Sequence, residues 1–137
     1  FLFFFSEWTL VNAKKKYDNE LFKKVVKTQN KYEWKYRGYT ILVPESTKDV
    51  QDEGCNLRHC VGGYINSIIE KRTKILFLRR IDNQEESLIT LEVRGDMLVE
   101  ARGFANRYVN KEEKDLLIKW CKEKDIKYKV RRWITWK

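Results

Sequence analysis

The sequence predicts an α+β fold, an antiparallel sheet of three to five strands packed by helices. Three observations carry this. Residues 74–81, 87–94 and 97–103 are consecutive β-rich runs joined by polar turns. Residues 18–30 and 111–124 repeat apolar side chains at helical spacing. The chain has 137 residues and only one Pro, which fits a single domain with few segments forced into loops.

Phe1–Phe5 is an apolar run followed by Ser6 and Glu7. It falls far short of the ~20 residues a membrane-spanning helix needs, and it lacks the basic flank of a secretory leader. The chain does not open on Met, so it is expected to be a piece of a longer protein, with this run an interior strand or the edge of a core helix. Asp18 or Asn19 can cap a helix over 18–30, with Leu21, Phe22, Val25 and Val26 on one face and Lys23, Lys24 and Lys27 on the other. Residues 32–43 read as a hairpin, since Tyr32, Trp34 and Tyr36 alternate with charges and Arg37-Gly38 supplies a turn.

Ser46 or Thr47 caps a following helix, with Asp49 in capping-box position, and Gly54 is expected to end it. A further helix is expected from about Leu57, carrying Val61, Tyr64, Ile65, Ile68 and Ile69. Gly62-Gly63 inside that helix costs roughly 1 kcal/mol per glycine against alanine, so close packing or an approaching ligand should compensate there.

In the second strand of the 74–103 block, Leu88, Thr90, Glu92 and Arg94 face one way and Ile89, Leu91 and Val93 the other. In the third, Leu98, Glu100 and Arg102 oppose Met97, Val99 and Ala101, which lets Glu92, Glu100 and Arg102 share a sheet face. Asn110 caps a helix over 111–124 whose inner stripe is Leu116, Leu117, Trp120 and Cys121. Residues 126–137 read as a last strand or tail, and no repeat, linker or low-complexity segment interrupts the chain.

Apolar residues make up 42% of the chain and aromatics 14%, enough for a core, and this argues against disorder. The formal charge of +9 favours polyanionic partners through counterion release, although a lysine-rich soluble surface would give the same excess. Cys55, Cys60 and Cys121 are odd in number and irregularly spaced, which fits reduced thiols in a cytoplasmic protein better than a secreted disulfide framework. No cofactor-binding pattern is present and no cofactor is expected.

Residues 53–64 read EGCNLRHCVGGY. This resembles the signature of the PcfJ-like family, EG-x-x-L-x-HCV-G-x-Y followed by a strand ending in Arg, here Arg79 or Arg80 of KILFLRR. The family's later blocks, a TxEV strand and an RG-x-x-N turn, are matched by Thr90-Leu91-Glu92-Val93 and by Arg102 to Asn106, and the closing helix by Lys111 to Trp120. The resemblance covers about residues 44–122. Glu100 departs from it, standing where many relatives have Gln, and so does Lys71-Arg72, where Gly is common. The resemblance implies a protein carried with conjugative plasmids, integrative elements or phages, and it implies no particular enzymatic activity.

Three site chemistries are open. Cys60 could act as a nucleophile activated by Arg58 or a helix start, with His59 beside it, or the pair could be a small buried thiol and a structural imidazole. Cys55, His59, Cys60 and Cys121 have the residue types of a Cys₃His zinc site, but the C-x-x-x-H-C spacing argues against one and no metal is expected. A polar pocket could gather Arg58, His59, Gly62, Gly63, Tyr64, Arg79, Glu92, Glu100, Arg102 and Asn106, the glycines allowing close approach and the arginines gripping phosphate or carboxylate. The same residues could instead form a buried network pairing Glu92 or Glu100 with Arg102.

Lys14, Lys15 and Lys16, together with Lys127, Lys129, Arg131 and Arg132 among aromatics, suit a single-stranded nucleic acid. The expected function is an accessory domain of a mobile element that binds nucleic acid or a nucleotide-like anion. The alternatives are an enzyme using Cys60 or His59, or a module that recruits protein partners of transfer or defence machinery. No membrane association is expected.

Overall fold

The computed structural model describes residues 2–130, with side chains from Leu10 onward apart from residues 12 and 13. Its elements in order are α1 (Leu2–Lys27), β1 (Trp34–Tyr36), β2 (Tyr39–Leu42), α2 (Thr47–Leu57), α3 (Ile65–Ile69), β3 (Lys74–Arg80), β4 (Ile89–Arg94), β5 (Met97–Arg102), α4 (Lys111–Glu123) and β6 (Lys127–Tyr128). Short 3-10 turns occupy Asn30–Tyr32, Cys60–Tyr64 and Phe104–Asn106. The fold is α+β, as the sequence predicts.

The sheet is larger than expected. It has six strands in the order β1-β2-β3-β4-β5-β6, and β6 pairs with β5 in parallel, so the sheet is mixed. The hairpin turns at Arg37 and Gly38, both at positive φ (46° and 81°), the geometry a two-residue hairpin loop favours.

Two cores flank the sheet. Leu76, Leu78, Ile89, Leu91, Val93, Leu98 and Ala101 pack against Leu116, Leu117, Trp120 and Cys121 of α4. On the other face Ile75 and Phe77 meet Phe22, Val25 and Val26 of α1, Val50 of α2, Val61 and Ile68. Glu92 pairs with Glu100 while Val93 pairs with Leu98, so Val99 is an extra residue in β5. This bulge turns Leu98 away from Glu100 and into the α4 core, contrary to strict alternation.

The helical boundaries also differ from expectation. α1 begins well before Asp18, so neither Asp18 nor Asn19 caps it, and Leu2–Phe5 is helical rather than a strand. Phe1 lies outside the described residues, as does the expected strand or tail beyond Val130. α2 runs through Gly54 and ends at Arg58, which takes the left-handed conformation (φ 51°). Gly62-Gly63 lies in the 3-10 turn and not within a helix. Ser46 caps α2 by accepting from Asp49 N at 3.4 Å, while Asp49 Oδ2 accepts from Glu45 N at 2.9 Å.

Candidate functional site

Gly54 explains how the site segment lies against α2. A Cβ there would stand 3.1 Å from Gly62 N and 3.2 Å from His59 O, so a side chain would push the Cys60–Tyr64 turn back by a few tenths of an ångström. Around Gly63 a Cβ would meet nothing within 4 Å, and at Gly62 only Gln51 Cα at 3.8 Å. The close-approach role expected of Gly62-Gly63 therefore belongs to Gly54. The cost of a helical glycine is offset by the contact it permits.

The turn is held to the sheet by a buried hydrogen-bond chain. His59 caps the turn, its Nδ1 accepting from Val61 N at 3.4 Å, so Nε2 carries the proton and donates to Thr90 Oγ1 at 2.8 Å. Thr90 Oγ1 donates to Glu53 Oε2 at 2.8 Å, and Arg79 closes the chain by donating through both terminal nitrogens to the Glu53 carboxylate. Glu53 is 1% exposed and Arg79 5%, with the guanidinium 4.6 Å from the Phe77 ring centre. Burial is the main cause that pushes the His59 imidazole below its usual range, and the Glu53 charge opposes it.

Beside this chain lies a cavity of about 360 Å³ lined by His59, Cys60, Val61, Tyr64, Ile75, Thr90, Glu92, Glu100, Arg102, Asn106 and Tyr108. Its polar floor comes from alternate residues of β4 and β5, its upper wall from the 3-10 turn. Arg102 Nε stands 3.0 Å from Glu100 Oε2, and its guanidinium lies 4.0 Å from the Tyr108 ring centre. Glu100 Oε2 and Arg102 Nη1 are both buried and have no hydrogen-bond partner among the described residues. Glu92 is already engaged, accepting from Thr73 Oγ1 at 2.7 Å and from Arg94 Nε at 3.0 Å.

The loop that delivers Asn106 and Tyr108 is fixed from behind. Arg107 donates to both oxygens of Glu113 at 3.0 and 3.1 Å, and Glu113 completes a capping box with Asn110 at the start of α4. Gly103 is needed here because a Cβ would fall 2.7 Å from Arg107 Nε. At the outer end Arg58 lies over the ring of Phe104, a phenylalanine 49% exposed.

Of the ligand-binding residues named from sequence, His59, Tyr64, Glu92, Glu100, Arg102 and Asn106 line this one cavity, as does Cys60. Arg79 does not, because Glu53 holds it within the α2–β3 interface. Gly62 and Gly63 line a separate groove of about 340 Å³ together with Cys55, His59 and Cys60. Arg58 lines neither and caps α2. Glu53, Thr90 and Tyr108 were missed as site residues. Glu53 opens the EG pair and Thr90 shares the face of Glu92, signals that were legible in the sequence.

The His59–Cys60 pair forms no dyad, since the imidazole's two nitrogens bond to Val61 and Thr90. Cys121 belongs to the α4 core on the opposite side of the sheet, its thiol pushed up to about 12 by burial, so it cannot join Cys55, His59 and Cys60 around a metal. Among the described residues no cluster of three or more His, Cys, Asp or Glu side chains is placed to hold one. Lys14, Lys15, Lys16, Lys127 and Lys129 are exposed but do not line the cavity, and Arg131 and Arg132 lie outside the described residues. Among the described residues no helix is long and apolar enough to cross a membrane.

Sequence comparison agrees with this arrangement of motifs. The profile of the PcfJ-like protein family matches residues 8–117. The chain belongs to the PcfJ-like family. The match starts further toward the N-terminus than the motif blocks alone, taking in most of α1 and the hairpin. A relative from Listeria innocua serovar 6a, described as uncharacterized protein Lin1253/Lin1744, is 35% identical over 94 residues. That alignment covers 67% of this chain and 21% of the Listeria protein, so the PcfJ-like chain spans about a fifth of that relative's length. No solved structure matches it.

Proposed function

We propose that this PcfJ-like chain binds nucleic acid or a free nucleotide by taking a nucleobase into the 360 Å³ cavity, as an accessory domain of a mobile genetic element. The observation that carries the reading is Arg102 Nη1, a buried donor with no hydrogen-bond partner among the described residues, beside the Glu100 carboxylate, whose Oε2 is ion-paired with Arg102 Nε at 3.0 Å and can still accept. A buried polar atom without a partner costs about 1–3 kcal/mol, more when charged, and a ligand edge presenting an acceptor to Arg102 Nη1 next to a donor for Glu100 relieves that cost. Nucleobase edges have this pattern. Tyr64 and Tyr108 in the walls, and Phe104 outside, offer rings for stacking, worth about 1–3 kcal/mol per base.

The charges in the cavity favour a base over a phosphate as its occupant. Arg102 is ion-paired with Glu100 and Glu92 with Arg94, so the cavity presents no uncompensated cation to a phosphate. A phosphate 4 Å from the Glu100 carboxylate would meet a repulsion on the order of 4 kcal/mol at an effective dielectric of about 20. The +9 net charge acts on the phosphates outside, as salt-sensitive attraction. The rival enzymatic reading needs a base for Cys60, and His59 is committed elsewhere.

Fluorescence anisotropy with labelled single-stranded oligonucleotides, alongside calorimetry with the free nucleosides, tests this. Arg102→Ala should weaken both by about tenfold or more, the worth of a charge-assisted hydrogen bond. Glu100→Gln should change which base is preferred, because an amide donates as well as accepts. Unchanged affinity of Arg102→Ala for every base would overturn the reading. Turnover of any tested ligand that disappears in Cys60→Ala would favour the enzyme.

A further inference from the structure

A second, smaller cavity of about 280 Å³ adjoins the first and is lined by Tyr64, Ser67, Arg72, Thr73, Glu92 and Arg94. Tyr64 and Glu92 line both, so the two spaces meet across a single shared wall. Their charge is opposite in tendency. Two carboxylates and one guanidinium line the first, while two guanidiniums and one carboxylate line the second, where Arg72 is also ion-paired with Glu70. We infer that the second cavity is the phosphate subsite for the base held in the first, so that the unit recognised is a nucleotide, free or within a strand. This inference rests on the base-binding reading.

The side chains suit that anion. Arg94 reaches Glu92 through Nε, which leaves the two terminal amino groups of its fork for another acceptor, and its side chain is 63% exposed. Arg72 is 61% exposed and donates through Nη1 to Glu70 and through Nη2 to Ser67 Oγ. With that lone pair of Ser67 taken, its hydroxyl proton is left to donate. Glu92 and Glu70 are the nearby carboxylates; Glu92 is met by Thr73 and Arg94, and Glu70 by Arg72. Burial, and after it the Glu92 charge, hold the Tyr64 hydroxyl in its protonated, donating form. The planar fork of Arg94, with two parallel donors, matches phosphate oxygens better than a lysine does, while Arg72 adds its charge beside it.

The test is calorimetry on wild type, Arg72→Ala/Arg94→Ala and Arg102→Ala, with each nucleoside and its 5′- and 3′-monophosphates as probes. Both arginines are exposed, so the double variant should fold, and circular dichroism checks it. Wild type should bind one monophosphate series about ten- to a hundredfold tighter than the nucleoside, the range of one or two charge-assisted bonds. The double variant should lose that preference while keeping nucleoside affinity, and Arg102→Ala should weaken both. Equal binding of nucleoside and nucleotide by wild type, or a preference that survives the double variant, overturns the phosphate subsite and leaves the base reading intact. Monophosphate binding that ignores the base and Arg102→Ala, yet vanishes in the double variant, overturns the base reading alone.

Discussion

Glu53 and Arg79 meet carboxylate to guanidinium between α2 and β3, with only 0% and 7% of their side chains exposed. The contact joins the helix that carries the HCVGGY turn to the strand at the sheet's centre. Because Thr90 donates to the same carboxylate and His59 donates to Thr90, it also fixes the wall of the cavity.

Breaking that pair on one side should be severe. Arg79→Met leaves Glu53 buried and uncompensated, at a cost of about 3–5 kcal/mol. Replacing both partners by apolar residues should recover part of the loss. Urea denaturation midpoints of the two single variants and the double variant check this. Additive losses would show that the two side chains do not depend on each other.

Gly54 and Gly63 should respond in opposite directions to alanine. At Gly54 the new methyl group meets backbone at 3.1 and 3.2 Å on two sides, and overpacking of this kind costs about 1–3 kcal/mol. At Gly63 it enters open space at an ordinary φ, which should stabilise by about 0.4–1 kcal/mol through the unfolded chain. Thermal melts of the two variants distinguish them.

His59 should make stability fall as pH drops below about 6.5. Its folded-state proton affinity lies below the unfolded value of about 6.5, so the unfolded chain binds the extra proton. The contribution of the neutral imidazole is fully present above about pH 6.5 and is lost as pH falls through the lowered folded value. This is the chain's only histidine, so His59→Gln should flatten the profile across that window. Denaturation at pH 7.5 and 5.5 measures it, and an unchanged slope in the variant would assign the dependence elsewhere.

Thiol labelling should divide the cysteines two to one. Cys55 and Cys60 are exposed and Cys121 is buried, with its thiol raised to about 12. A maleimide should modify two thiols in the native protein and the third only in denaturant, as read by mass spectrometry. A nucleotide in the cavity should slow the reaction of Cys60, which lines it, more than that of Cys55, which does not.

Strand periodicity was enough to bring the site residues together on paper. A period of two within each strand lets Glu92, Glu100 and Arg102 share one face, while the packing of the His59 turn against that face was an expectation that only the tertiary structure decided. The α4 stripe and the Arg37-Gly38 turn were legible for the same reason, since each depends on neighbours a few residues away.

Contacts between distant segments were not legible. Whether Arg79 reaches the cavity or Glu53, whether Gly54 or Gly62 takes the close approach, and whether Val99 is an extra residue all turn on separations of a few tenths of an ångström to a few ångströms. Those separations are set only when α2, the 3-10 turn and three strands pack at once. Residue spacing encodes direction along one element; which buried charge finds which partner is decided by desolvation in the assembled interior, where an unpaired group costs more than any local preference can supply.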